Sequence, residues 1–130
     1  MSEYRTIIET FMQGVSAGVV KDDLLTEDMT FWSVNSGASD KARFCGGIAL
    51  LAKAGNYAID YDIVALTCDG DRAVAEVESS GTLINGETIA NSHVFIFEFR
   101  HRRIAAVKEF MNQFVVKEKI APVMHSLMQG

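Results

Sequence analysis

Three observations predict an α+β domain. Helical spacing of apolar residues marks two segments before Gly55 and one at the end of the sequence, the period switches from 3.6 to 2 after Gly55, and turn dipeptides then punctuate a run of long strand-like segments. Helices before a meander of antiparallel strands should pack on one face of the sheet. The strands exceed the usual five or six residues, so the sheet should twist and curl.

In the first helix Ile7, Ile8, Phe11, Met12 and Val15 form one stripe. Ser2 is a candidate cap, Glu3 suits the positive end, Gly14 weakens the last turn and Gly18 is placed to end it. A helical turn around Asp22–Leu25 leads into a strand over Met29–Val34, rich in β-branched and aromatic residues. Asn35-Ser36-Gly37 breaks the pattern. Ser39 or Asp40 can cap a second helix that carries Phe44, Ile48 and Leu51 inward and stops at Gly55-Asn56. Tyr57, Ile59, Tyr61 and Ile63 alternate with Ala58, Asp60 and Asp62, a strand with one wet face. Asp69-Gly70 and Asn85-Gly86 are hairpin turns, with strands expected over Ala73–Ile84, Thr88–Arg100 and Arg103–Val115. A last helix from about Lys117 to Met128 contains the only proline, Pro122, where a break or a fresh helical turn is expected.

The 130 residues are read as one domain, 1–130, long enough for an ordinary core. Apolar content of 48% with 22% charged residues excludes a disordered chain. A net charge of -5 gives no electrostatic reason to bind nucleic acid or an anionic membrane. The first residues, MSEYRTIIET, include acidic residues and no continuous apolar run, so no secretory signal is expected, and no apolar stretch approaches a membrane span. Cys45 and Cys68 form no metal-like spacing with each other or with His93, His101 and His125, which reads as free thiols in a cytoplasmic protein. No metal or cofactor is expected.

Strand parity selects the candidate site. Glu76, Glu78, Asn91 and Glu109 sit where half-buried strands usually place apolar residues. Asn91, His93, Phe95, Phe97 and Phe99 share one face of their strand, and Val107, Glu109 and Met111 share one face of theirs. Glu76 and Glu78 are expected on the same concave surface. Apolar walls with a few converging polar groups suit a ligand cavity. Glu109 is the leading candidate for acid/base work, the alternative being a carboxylate simply hydrogen-bonded to Asn91 or His93. Glu76 and Glu78 can share a proton, or one can lie solvated at the sheet rim. His93 can shuttle protons, or be a buried histidine satisfied by Glu109 or Glu78. Trp32 is expected to line the pocket, with core packing as the alternative. Of the phenylalanine row only the end nearest Asn91, at Phe95, should reach a ligand, together with Met111 and Phe11. Met124, Leu127 and Met128 should close the pocket mouth or meet a partner subunit.

Glu76-Val77-Glu78-Ser79-Ser80-Gly81, Asn91–Arg100 and Lys108-Glu109-Phe110-Met111-Asn112, with the order of elements around them, resemble a SnoaL-like domain of the nuclear transport factor 2-like superfamily. That group includes ketosteroid isomerases, polyketide cyclases and limonene-epoxide hydrolases. The resemblance implies a cone-shaped, strongly curved antiparallel or mixed sheet wrapped around the N-terminal helices, a cystatin-like α+β barrel. It implies a pocket for a small hydrophobic or polycyclic ligand, and a homodimer through the outer sheet face, here Val94, Ile96, Ala106 and Phe110. It also implies an isomerase, cyclase or hydrolase, or a non-catalytic binding or dimerisation module of the same fold. The departures are specific. Phe31-Trp32-Ser33-Val34-Asn35 lacks the isomerases' basic carboxylate after the first strand, and Phe11 lies in the region of their oxyanion-hole tyrosine. Of the epoxide hydrolases' Asp-Arg-Asp set, Glu109 falls at one carboxylate position and Glu76 and Glu78 near the others. Arg72, the one arginine of matching parity on that strand, sits back at the hairpin end.

Overall fold

The computed structural model describes residues 2–129, with side chains described from Tyr4 onward, so the expected roles of Ser2 and Glu3 lie outside the described residues. Helix α1 (Ser2–Ala17) buries Ile8, Phe11, Met12 and Val15, as its stripe requires. It ends at Gly18, whose φ of 86° lets Gly18 N–H and Val19 N–H donate to Gly14 O at 2.8 and 3.0 Å. Gly14 is needed for that approach, since a Cβ there would lie 2.8 Å from Val19 O. A short turn at Asp22–Leu24 then feeds β1 (Leu25–Ser33), four residues longer at its start than the β-branched run suggests.

Strand β2 (Gly37–Asp40) has no alternation in its Gly-Ala-Ser-Asp sequence and is legible only through its pairing with β1. Asp40 is the cap of α2 (Lys41–Ala54), accepting from Arg43 N–H at 2.8 Å. The next strand starts later than expected. Asn56 and Tyr57 both take φ of 56° in the turn that ends α2, so Tyr57 is exposed and β3 spans Asp60–Asp69. Strands β4 (Arg72–Thr82), β5 (Thr88–Arg100) and β6 (Arg103–Met111) complete the meander.

The sheet order is β2-β1-β6-β5-β4-β3, with β1 parallel to β6 and every other pair antiparallel. The mixed six-stranded sheet is open, with β2 and β3 as its edges. Asp60, Asp62 and Asp69 and the irregularity between Ile63 and Ala65 discourage strand addition at the β3 edge. The concave face meets α1 and α2 in a core of Phe11, Phe44, Phe95, Phe97, Ile104 and Val107.

After β6, Asn112 caps α3 (Gln113–Val115), accepting from Phe114 N–H at 3.0 Å. The chain then widens through a π-wound segment, Val116–Ile120, before α4 (Ala121–Gln129). Pro122 lies two residues past the end of that segment. Its ring would collide with the carbonyl one α-turn back, and the wider winding relieves this without a break. Ile120 and Val123 bury against Ala54, Ile59, Leu83 and Ile89, so the last helix packs across the mouth of the cone.

The β4–β5 register decides which side chains face inward. A two-residue turn at Asn85-Gly86 would pair Ile84 with Glu87 and put Glu76 and Glu78 on the face of Asn91. Instead Gly86 N–H donates to Leu83 O and Leu83 N–H to Glu87 O, both at 2.8 Å, with Gly86 at φ 91°. This three-residue loop pairs Ser79 with Asn91 and Val77 with His93. A register shift of one residue inverts every side chain. Ala75, Val77 and Ser79 are therefore buried inward, while Glu76 and Glu78 are exposed on the convex face.

Candidate active site

Between the concave sheet, α1, α2 and the last helix lies a cavity of about 500 Å³. Its body is apolar, walled by Phe11, Phe31, Phe44, Ile48, Phe95 and Met111, and Met124 and Met128 of α4 lie at its mouth. Its polar groups are few: Glu109, His93, Ser79, Asn91 and Tyr61 on the sheet, with Ser33, Asn35, Ser36, Ser39 and Arg43 towards the β1–β2 turn and the start of α2. A volume of several hundred Å³ suits a molecule of drug or terpenoid size.

At its centre three side chains form a chain of hydrogen bonds. His93 Nδ1 lies 2.7 Å from Glu109 Oε2, and His93 Nε2 lies 2.7 Å from Ser79 Oγ. The His93 and Glu109 side chains are only 9% and 15% exposed. A carboxylate can only accept, which assigns the Nδ1 proton to the bond with Glu109; in the tautomer that carries its one proton there, Nε2 accepts from Ser79 O–H. Glu109 Oε1 has no protein partner among the described residues. Phe95, directly opposite Glu109 in the register, stacks on His93 with ring centroids 5.6 Å apart.

Tyr61 completes the cluster. It pairs with Ser79 across β3–β4, and its ring lies 5.9 Å from His93. Burial pushes its phenol well above the ordinary tyrosine range, and the nearby Glu109 carboxylate pushes it the same way. It is therefore a neutral O–H donor throughout the physiological range. Stability follows with a definite sign. The unfolded chain ionises this phenol at pH ~10, before the folded protein does, so stability falls as pH rises above about 10 and is untouched below. Urea midpoints at pH 8 and pH 11 should show an extra loss of roughly 1 kcal/mol at pH 11 in the wild type relative to Tyr61→Phe. Equal losses in both proteins would refute the burial argument.

Several expected site residues meet here and others do not. Glu109, His93, Asn91, Phe95, Met111 and Phe11 all line the cavity. Asn91 is largely committed to backbone: Oδ1 accepts from Ser92 N–H at 2.8 Å and Asn112 N–H at 3.2 Å, and Nδ2 donates to Asn112 O at 3.2 Å. It pins the start of α3 and keeps one free N–H. Glu76 and Glu78 are corrected to the convex face by the β4–β5 loop, and Glu78 accepts there from Ser92 Oγ at 2.8 Å. Trp32 is corrected too. The parallel β1–β6 register sets it beside Lys108 and turns Phe31 and Ser33 inward, so Trp32 packs on Phe110 outside, centroids 5.2 Å apart. Ser79, Tyr61, Ser33 and Arg43 were not expected. The Tyr57–Ile63 alternation does mark Tyr61 as inward, but its place beside Ser79 depends on register. Among the described residues no group of three His, Cys, Asp or Glu side chains could hold a metal ion, and no helix is long and apolar enough to cross a membrane.

An open curved sheet, capped by helices over a cavity, is a nuclear transport factor 2-like fold. More particularly, the chain belongs to the SnoaL-like domain family, whose model matches residues 5–107. Among solved structures it is similar to a nuclear transport factor 2-like protein from Anabaena variabilis, with 23% identity over 85% of this chain and 87% of that one and a TM-score of 0.76. A putative SnoaL-like polyketide cyclase from a Jannaschia species aligns at 12% identity over 92% of both chains, TM-score 0.78. A putative isomerase from Bacillus subtilis aligns at 20% identity over 92% of this chain and 94% of that one, TM-score 0.77. No curated protein matches the sequence. These likenesses establish the fold; chemistry has to be argued from the site.

Proposed function

We propose that this protein is a small-molecule enzyme of the isomerase, cyclase or hydrolase kind, moving protons on a mostly apolar, ring-sized substrate. The observation that carries the reading is Glu109. One carboxylate oxygen is held by His93, and the other is free at a cavity surface that is otherwise largely apolar. In the proposed reaction Glu109 Oε1 removes a proton from carbon, or from a water, and His93 fixes the carboxylate and accepts a share of the charge change. Tyr61 O–H donates to the substrate oxygen on which negative charge develops. Arg43 and the serines near the β1–β2 turn would hold a polar end of the substrate. The names of the cyclase and isomerase neighbours are consistent with such chemistry.

Proton abstraction is tested directly in D₂O. Cyclic and polycyclic ketones are incubated with the protein, and deuterium at the α-carbon is followed by mass spectrometry, with epoxides in ¹⁸O-water as a parallel arm. Exchange or label uptake well above the buffer rate is expected for at least one class. Saturable binding with no exchange and no label from any member would instead support a non-catalytic binding module.

We also propose that a second copy covers the convex face. Val94 and Phe110 are 37% and 42% exposed there, beside Trp32, Ile96 and Ala106. Neighbouring apolar side chains of this kind, rimmed by Glu76, Glu78, Glu98 and Lys108, suit a self-complementary contact. Sedimentation equilibrium should give twice the 14.3 kDa chain mass, reverting to monomer in Phe110→Glu. A wild-type monomer at tens of micromolar would rule the proposal out.

A further inference from the structure

Ser79 has no part in the proton-transfer reading, yet it is placed as a nucleophile. Its Oγ lies 2.7 Å from His93 Nε2, while Nδ1 of the same ring lies 2.7 Å from Glu109 Oε2. The tautomer assigned above gives this chain the polarity of a serine–histidine–carboxylate triad, an arrangement recognised by geometry and roles rather than by fold or chain order. The residues around it are placed for the rest of the reaction. Ser79 is flanked in the register by Tyr61 on β3 and Asn91 on β5. Directly opposed residues of antiparallel strands stand about 5 Å apart and on one face. Tyr61 brings a phenol kept neutral by burial, and Asn91 brings the one N–H its backbone bonds leave free. Both face the cavity where an oxyanion beside Ser79 would form.

We infer that Ser79 is an acyl-accepting nucleophile, and that the protein hydrolyses carboxylic esters with a small apolar acyl group through an acyl-serine. Ser79 Oγ attacks the ester carbonyl carbon as its proton passes to His93 Nε2. The carbonyl electron pair moves onto oxygen and is met by Tyr61 O–H and Asn91 Nδ2–H. The oxyanion collapses, the alcohol leaves with the proton from His93, and an acyl ester of Ser79 is left. A water gives a proton to His93 Nε2 and attacks that ester, and the Oγ–acyl bond then breaks as His93 returns the proton to Ser79 Oγ. The products are the carboxylic acid and free Ser79, with one water consumed. Glu109 holds the imidazole and stabilises its cationic form. The inference shares His93 and Glu109 with the proton-transfer reading but does not depend on it.

The test uses the full chain and a small alkyl fluorophosphonate, which traps a nucleophilic serine with loss of fluoride. Intact mass should show one adduct per chain, and tandem mass spectrometry should place it on Ser79. Ser79→Ala should give no adduct, and His93→Gln should label at least about 100-fold more slowly. Absence of wild-type labelling after hours at millimolar probe overturns the inference, as does an adduct on another residue or persisting in folded Ser79→Ala. If Ser79→Ala does not fold, the mapped wild-type adduct decides by itself. Deuterium exchange at carbon reports Glu109 and not an acyl-serine. Labelling without exchange therefore removes only the proton-transfer reading, and exchange without labelling removes only this one.

Discussion

Glu109→Gln should lower catalysed deuterium exchange by about 10²- to 10⁴-fold, the range that a positioned general base contributes. The substitution keeps the side chain's length and shape. The amide oxygen it introduces can still accept from His93 Nδ1–H, so the strand register and the cavity should survive. What disappears is the carboxylate as proton acceptor, and the charge that strengthens its bond to His93. The stability cost should stay near 1 kcal/mol, the difference between a charge-assisted and a neutral hydrogen bond. Binding of an apolar ligand should change little, because the walls are Phe31, Phe44, Phe95 and Met111. Exchange rates and urea midpoints measured on the same preparations separate these effects. A variant that exchanges as fast as the wild type would show that Glu109 is not the base, whatever its position.

How much of this was legible in the sequence depends on the kind of signal each element carries. The stripe of α1 and the alternation of β5 and β6 are local, and structure follows them closely. The grouping of Asn91 and His93 with Glu109 needs more than the tight His101-Arg102 corner, where both residues take positive φ: a bulge past Phe99 shifts the β5–β6 register by one and sets Glu109 opposite Phe95, on the face of His93. Glu76 and Glu78 fail for a definite reason. Asn-Gly is compatible with a two-residue turn and with the turn plus bulge seen here, and the choice inverts a whole strand. Trp32 fails similarly, because parity along β1 has no reference until its parallel pairing with β6 is known. Arg43 reaches the cavity from α2 through packing that no local spacing encodes, and Tyr61, inward by its alternation, meets Ser79 only through the β3–β4 register. The polar cluster is thus smaller than the row of acidic residues suggests, with one inward carboxylate on the meander instead of three.

That inversion predicts opposite outcomes on the two faces of the sheet. Phe97 is fully buried on the concave face, edge-on to Phe11 at 5.4 Å and stacked between Phe95 and Phe99 at 6.0 and 6.2 Å. Phe97→Ala should cost about 3–5 kcal/mol, since the lost apolar transfer is joined by a void that a row of rings between two helices and a paired strand cannot close. That is a large part of the roughly 5–15 kcal/mol by which domains of this kind are stable, so the variant should be partly unfolded near 37 °C. Glu76→Ala and Glu78→Ala, one strand away but on the convex face, should each change stability by no more than about 0.5 kcal/mol. Glu78 loses only an exposed bond from Ser92, and water replaces it. Urea midpoints for the three variants, each analysed with a common slope, provide the comparison. A cost of several kcal/mol for Glu78→Ala would mean that its carboxylate is buried and paired, and that β4 sits one residue out of the register described. The same slip would carry Ser79 out of the cavity and away from His93, so this stability measurement also bears on the nucleophile assigned above.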